Sequence, residues 1–360
     1  MHPALGNQSL NQSARGSGGN LSVEGPLQAS AEDRLGRKGL VAVAVCLGVI
    51  LLLGCLNNLL VVLIFARFRA VRTPINLILL NISLSDLLVC VFGTPLSFAA
   101  SVHGRWLLGR AACQWYGFVN AFLGIVSLVS LSILSYERYV IVLQRHTKAN
   151  VSSYQKSWLC IATSWLYSLI WTLPPFFGWS SYGPEGPGIS CSITWHLRTP
   201  SNISYVICLF VFCLLVPLLT MMYCYGRILQ AIRLQVSRFH QTSIQKREHH
   251  ILFMVVAMVT CYFLCWMPYG IVSLIATFGK PGMISPAVSI IPSILAKASL
   301  CVNPILYVLL NKQFYECFTI LVKCGPPPQH MKTTFEVKSE PGFSNSQQSR
   351  RNPLASNSGQ

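Results

Sequence analysis

Long apolar runs separated by short polar ones dominate the chain. Residues 39–66, 111–136, 157–184, 199–226 and 249–279 carry no formal charge. Two further runs, around 75–100 and 286–310, hold a single charge each, Asp86 and Lys297. A helix needs about 20 residues to cross the hydrocarbon of a bilayer, and each run exceeds that. In lipid the backbone must satisfy its own polar groups, which helices do and open sheets cannot. The pattern therefore predicts an all-α membrane protein: a seven-transmembrane-helix bundle, with a short amphipathic helix over 312–323 after the seventh. It divides the chain into a polar tail (1–38), a transmembrane domain with its amphipathic helix (39–324) and a second tail (325–360) whose Pro, Ser and Gln content reads as disordered.

Composition agrees: of 360 residues 52% are hydrophobic and 10% charged, against about 25% charged in a soluble domain. The net charge of +17 is explained by its placement. Arg67, Arg69 and Arg72 follow the first run, and Arg145, Lys148 and Lys156 separate the third from the fourth. Arg227, Arg233, Arg238, Lys246 and Arg247 separate the fifth from the sixth, and Lys312 and Lys323 follow the seventh. All fall on one side of the membrane, so the positive-inside bias predicts an extracellular amino terminus and a cytoplasmic carboxyl terminus. Topology accounts for the basic residues, and nucleic-acid binding is set aside. The first tail lacks the apolar core of a cleavable signal peptide. Its Asn7, Asn11 and Asn20 open Asn-x-Ser sequons on the outer side, where glycosylation is expected. The sequons at Asn81 and Asn150 should be silent, and that at Asn202 stays open.

Most of the fourteen cysteines lie within helices, where they read as small packing residues. Cys113 and Cys191 both face the oxidising side, and a disulfide between them would pin the loop between helices 4 and 5 across the mouth of the bundle. Cys324 reads either as a palmitoylation site or as a free thiol. Cys261 and Cys265 have no matching ligands nearby, so no metal is expected.

One group resists explanation by packing. Between Lys280 and Lys312 the only charge is Lys297, too deep to snorkel to either boundary. A charge at mid-bilayer costs about 2.5–3.5 kcal/mol on the lenient insertion scale. Burial favours the neutral form of an amine, and a neutral amine is a nucleophile suited to forming a Schiff base with an aldehyde. The plainer alternative is a structural lysine paired with Asp86. Only ten carboxylates exist, so few groups could offset a charge there.

The motifs then name a family. Asn58, "NISLSDLL" with Asp86, "YERY" with Glu137, Arg138 and Tyr139, Trp165, Pro217, "CWMP" with Trp266 and Pro268, and "NPILY" with Asn303, Pro304 and Tyr307 together resemble class A G-protein-coupled receptors over residues 40–324. A lysine six residues before the Asn of "NPILY", followed by "NKQF" (311–314), is similar to the opsins, and the ensemble most resembles the encephalopsin and teleost multiple tissue opsin group. The resemblance implies a plasma-membrane photoreceptor for non-visual light sensing, a receptor and not an enzyme, with retinal at Lys297 as a protonated Schiff base.

In vertebrate visual opsins a glutamate counterion stands three residues after the helix-3 disulfide cysteine; here that position is Tyr116. The resemblance leaves Glu185, six residues before Cys191, as the carboxylate over the chromophore, and its other reading is a solvated residue of "SYGPEGPG". A counterion in the loop implies a bistable pigment. Gly124 would leave room for retinal, with Trp266 and Tyr269 flanking it. By the same resemblance Glu137, Arg138 and Glu248 form an ionic clasp that light breaks, and Tyr225 and Tyr307 stabilise the open form. Asn58, Asp86 and Asn303 form the polar connection between chromophore and crevice. The opened crevice would receive a heterotrimeric G protein, of inhibitory or transducin-like class. Receptor kinase and arrestin would act on Thr333, Thr334, Ser344, Ser346 and Ser349. A light-driven pump lacks the carboxylates of a proton path, while a retinal photoisomerase and a receptor for a diffusible ligand remain as alternatives.

Overall fold

The computed structural model describes residues 35–143, 154–236, 243–280 and 282–323. Seven helical spans among these residues are long and apolar enough to cross a membrane. The first is α1 (Arg37–Arg67). The second is α2 (Pro74–Phe92) with α3 (Thr94–His103), the third α4 (Gly109–Leu143), the fourth α5 (Tyr154–Thr172). The fifth joins α6 (Pro200–Phe210) to α7 (Val216–Val236) through a π-helical turn, and α8 (Ser243–Phe278) and α9 (Pro286–Leu310) are the sixth and seventh. Amphipathic α10 (Lys312–Lys323) follows.

Three helices begin alike. Thr73, Thr199 and Ser285 accept, through their hydroxyls, the backbone N–H groups of Asn76, Asn202 and Val288, and a proline follows each cap. Hydroxyl and proline suit these positions because the first N–H groups of a helix have no internal partner. The second span, expected as one helix, is divided at Gly93, where Pro95 cannot donate to the preceding turn. α10 buries Phe314 and Cys317, with the Phe314 ring 5.5 Å from Phe65 and 6.1 Å from Tyr307. That contact fixes the amphipathic helix against the base of the bundle.

The link between α5 and α6 adds a feature that helical periodicity does not show. Strands β1 (Tyr182–Glu185) and β2 (Ser190–Ile193) pair antiparallel, with Glu185 opposite Ser190 and Pro184 opposite Cys191. Cys191 is disulfide-bonded to Cys113 on α4. The Trp106 amide donates to the Gly188 carbonyl at 3.0 Å, so the hairpin turn is also tied to the segment before α4. The turn needs positive φ at Gly186 (55°) and Gly188 (76°), which glycine adopts without a Cβ clash. The hairpin thus lies across one end of the bundle, with Glu185 at its inner edge.

Candidate functional site

Beneath the hairpin lies a cavity of about 190 Å³ lined by α4, β1, β2, the fifth span, α8 and α9. A water needs only about 10–15 Å³ of such space, so this volume suits a larger molecule. Apolar side chains such as Val206, Leu209, Phe210 and Leu214 form one wall. Tyr116, Gly124, Glu185, Trp266, Tyr269 and Lys297, all expected at the site, line the cavity together.

Lys297 is the one lysine on this wall. Its Nζ donates to Asn120 Oδ1 at 3.1 Å and stands 5.2 Å from the centroid of the Tyr116 ring. The alternative pairing of Lys297 with Asp86 is not what the structure shows, because buried Asp86 accepts instead from Asn303 Nδ2 at 3.1 Å. Glu185 Oε1 accepts from the Tyr269 hydroxyl at 2.7 Å, and Ser190 Oγ reaches Oε2 at 3.5 Å. The Trp266 indole N–H donates to Ser299 Oγ at 3.1 Å, and its ring stacks on Tyr262 at 5.6 Å. A Cβ on Gly124 would stand 3.2 Å from Trp266 Cη2. Gly124 thus lines the cavity and, having no side chain, also lets the Trp266 ring approach α4 closely.

Further down, Asn58 Nδ2 donates to the carbonyls of Gly54 (2.9 Å) and Leu300 (2.8 Å). It braces α1 against α9 one turn above the Asp86–Asn303 bond and has no direct bond to Asp86. At the opposite end of the bundle buried Glu137 pairs with Lys156 at the start of α5, Nζ to Oε1 2.8 Å. The Tyr225 hydroxyl lies 2.9 Å from Ser135 Oγ. Tyr307 is fully buried, and Tyr139 packs against Tyr223 with ring centroids 5.8 Å apart. Glu248 belongs to α8, but its side chain lies outside the described ones, as do Asn7, Asn11, Asn20, Asn150, Cys324 and the tail serines and threonines. At the Asn202 sequon the side chain is buried and its Nδ2 donates to the carbonyls of Thr194 and Leu197.

The 7 transmembrane receptor (rhodopsin family) profile matches residues 57–307. Pinopsin from Columba livia is 35% identical over 86% of this chain and 88% of its own length. Opsin-3 from Mus musculus is 33% identical over 80% of this chain and 74% of its own. The chain belongs to the opsins. The squid rhodopsin structure superposes with a TM-score of 0.75, covering 88% of this chain and 97% of that one, at 24% identity; that likeness concerns the fold. As an opsin the protein is a light-sensing receptor and a multi-pass membrane protein.

Two residues of this opsin's polar contacts were missed by sequence reasoning. Lys156 counts as one more loop charge until α5 is seen to start at Tyr154 and bring it to Glu137. Asn120 belongs to none of the family motifs, yet it lies four residues from both Tyr116 and Gly124, the spacing that puts three side chains on one helix face. That spacing was the available signal.

The Glu185 carboxyl, in the loop hairpin, is raised above its ordinary 4.5, chiefly by burial; the Tyr269 hydrogen bond and the Lys297 charge offset part of the rise. Folded protein therefore holds this proton more tightly than the unfolded chain. The resulting stability is fully present below about 4.5 and is lost as pH rises through the folded value. Thermal melts of the ligand-free opsin should move to higher temperature as pH is lowered through that window, and Glu185→Gln should flatten the slope. An unchanged slope in the variant would assign the pH dependence elsewhere.

Proposed function

We propose that this opsin holds retinal covalently at Lys297, with Glu185 as counterion, and activates a heterotrimeric G protein on illumination. The observation that carries the reading is a single amine inside a large apolar cavity, faced by a carboxylate on the hairpin that covers it. The cavity fits the group: a long apolar, aromatic wall for a polyene, with its few polar atoms gathered where a linkage nitrogen would stand. Retinal, when bound, supplies an aldehyde carbon for that linkage and a polyene whose shape light changes.

The protein's own residues do the rest. Lys297 provides the nitrogen, and Glu185 balances its charge from the hairpin, held in place by Tyr269. Trp266, bonded to Ser299 on α9 and lying two residues before the helix-breaking Pro268, stands where a change in cavity shape would be felt. A proline in a helix removes one backbone bond and leaves a hinge, so displacement of this ring can swing the far half of α8. The Glu137–Lys156 pair and the Tyr225–Ser135 bond are the contacts at the opposite end that such a swing would disturb, together with Arg138 and Glu248. In this reading the hairpin end is extracellular, the α10 end faces the cytoplasm of a plasma-membrane protein, and the opened crevice accepts a helix of an inhibitory or transducin-like Gα subunit. Because the balancing carboxylate sits on the hairpin and residue 116 is tyrosine, the charge at Lys297 stays balanced after illumination and the pigment is bistable.

Membranes containing the opsin, 11-cis-retinal and an inhibitory-class G protein should show light-dependent nucleotide exchange, absent without retinal. The illuminated pigment should keep a visible band that a second light pulse drives back. Exchange indifferent to light and retinal would point to a receptor for a diffusible ligand. Prompt decay to an ultraviolet-absorbing species would remove the bistable part of the reading.

A further inference from the structure

We propose that Asn120 is a positioning residue for the Lys297 nitrogen, an uncharged acceptor that favours its hydrogen-bearing form; the inference rests on reading Lys297 as the retinal site. The geometry is specific. Asn120 Nδ2 donates to the Tyr116 carbonyl at 2.7 Å, one turn back on α4. That bond decides which way the amide faces, and it leaves Oδ1 to accept from Lys297 Nζ at 3.1 Å. α2 makes room for this arrangement. A Cβ on Gly93 would stand 2.9 Å from Asn120 Nδ2 and 3.1 Å from Oδ1, closer than a side chain at 93 tolerates. α2, α4 and α9 thus converge on one amide, and the glycine that divides the second span is the one against which the amide packs.

Packing gives no reason for an asparagine here. It is a poorer helix former than alanine, and an amide taken out of water costs free energy unless it is bonded. Its chemistry does give one. An amide oxygen accepts and never donates. A free amine can always satisfy it, but once the nitrogen is in an imine linkage only the protonated form carries a hydrogen to give. Asn120 therefore favours the protonated linkage at close range, while Glu185, bonded to Tyr269, acts from farther off. The Tyr116 ring adds its face to the same nitrogen, and the Tyr116 hydroxyl, buried without a partner among the described residues, takes no part. Besides Lys297, the titratable groups lining this cavity are Tyr116, Glu185, Tyr262, Tyr269 and Cys213.

The test uses full-length opsin reconstituted with 11-cis-retinal, titrating the visible band with base in wild type, Asn120→Leu, Asn120→Asp and Tyr116→Phe. Leucine approximates asparagine in size, so a role in packing alone leaves its midpoint near wild type, while the charge of aspartate reports that residue 120 lies within reach of the nitrogen. We expect Asn120→Leu to lower the midpoint by about one to two pH units, the weight of a hydrogen bond to a charged group. Asn120→Asp should raise it, and Tyr116→Phe should leave it near wild type. In ligand-free protein, reductive methylation of Lys297 by formaldehyde and cyanoborohydride, followed by peptide mass spectrometry, should run on the order of tenfold faster in Asn120→Leu and slower in Asn120→Asp. Should Asn120→Leu fail to accumulate, Asn120→Ala is read in its place, with the same lowered midpoint expected. Wild-type midpoints and rates in both variants would overturn the role of Asn120 while leaving retinal at Lys297 intact. Absence of any band in wild type would remove that reading and this inference with it.

Discussion

Lys297→Ala should abolish the visible absorption band completely while leaving a folded receptor. The loss is expected to be total because Lys297 is the one lysine on the cavity wall, and no other amine there can form the linkage. The folding side of the prediction follows from cost. An amine on an apolar wall at this depth is unfavourable, so removing it relieves the helix even though Asn120 Oδ1 loses its donor. Lys297→Arg should also lack the band, since a guanidinium stays protonated and is a poor nucleophile. Spectra of the purified variants after incubation with retinal, beside melting curves, check both halves. A visible band surviving in Lys297→Ala would dissociate the pigment from this lysine.

Glu185→Gln should lower the pH at which the visible band is lost by about one to three units, the usual effect of an opposite charge within several ångströms. Glutamine keeps the size and still accepts from the Tyr269 hydroxyl, so the hairpin stays in register and the change reports charge alone. The effect should be larger than that of Asn120→Leu, because a carboxylate acts through charge where an amide acts through one hydrogen bond. After illumination the Glu185→Gln pigment should decay to an ultraviolet-absorbing form that a second pulse no longer restores. Base titration and paired light pulses on the same sample read both outcomes. A Glu185→Gln midpoint equal to wild type would leave the charge at Lys297 balanced by something other than the hairpin carboxylate.

The seven spans were legible because lipid imposes one rule on every residue of a span, and charge-free runs record it directly. Lys297 stood out for the same reason, as the exception that rule makes expensive. The hairpin was not legible: "SYGPEGPG" shows turn-forming glycines, but the pairing of Glu185 with Ser190 depends on the tie of Cys191 to α4 and of Gly188 to Trp106. The break at Gly93 escaped for a related reason. Pro95 lies inside an apolar run, and hydrophobicity alone does not register a missing backbone donor. Contacts between spans were the least readable. Asn120 meets Lys297 across 177 positions and Asn303 meets Asp86 across 217, distances over which local pattern carries no information. Asp86 meets the Asn303 that the family motifs had grouped with it, whereas the contact of Lys297 with Asn120 was not foreseen. Glu137 likewise found a cation on α5, beyond reach of any reading confined to "YERY".

The place where retinal is attached decides the mechanism. Dark pigment treated with borohydride would have its linkage reduced to a stable amine, and proteolysis with mass spectrometry would then locate the added mass. The mass should appear on the peptide containing Lys297, within "SILAKASLCVNP", at near one label per protein. Label on another lysine, or none on a protein that shows the visible band, would contradict attachment at Lys297.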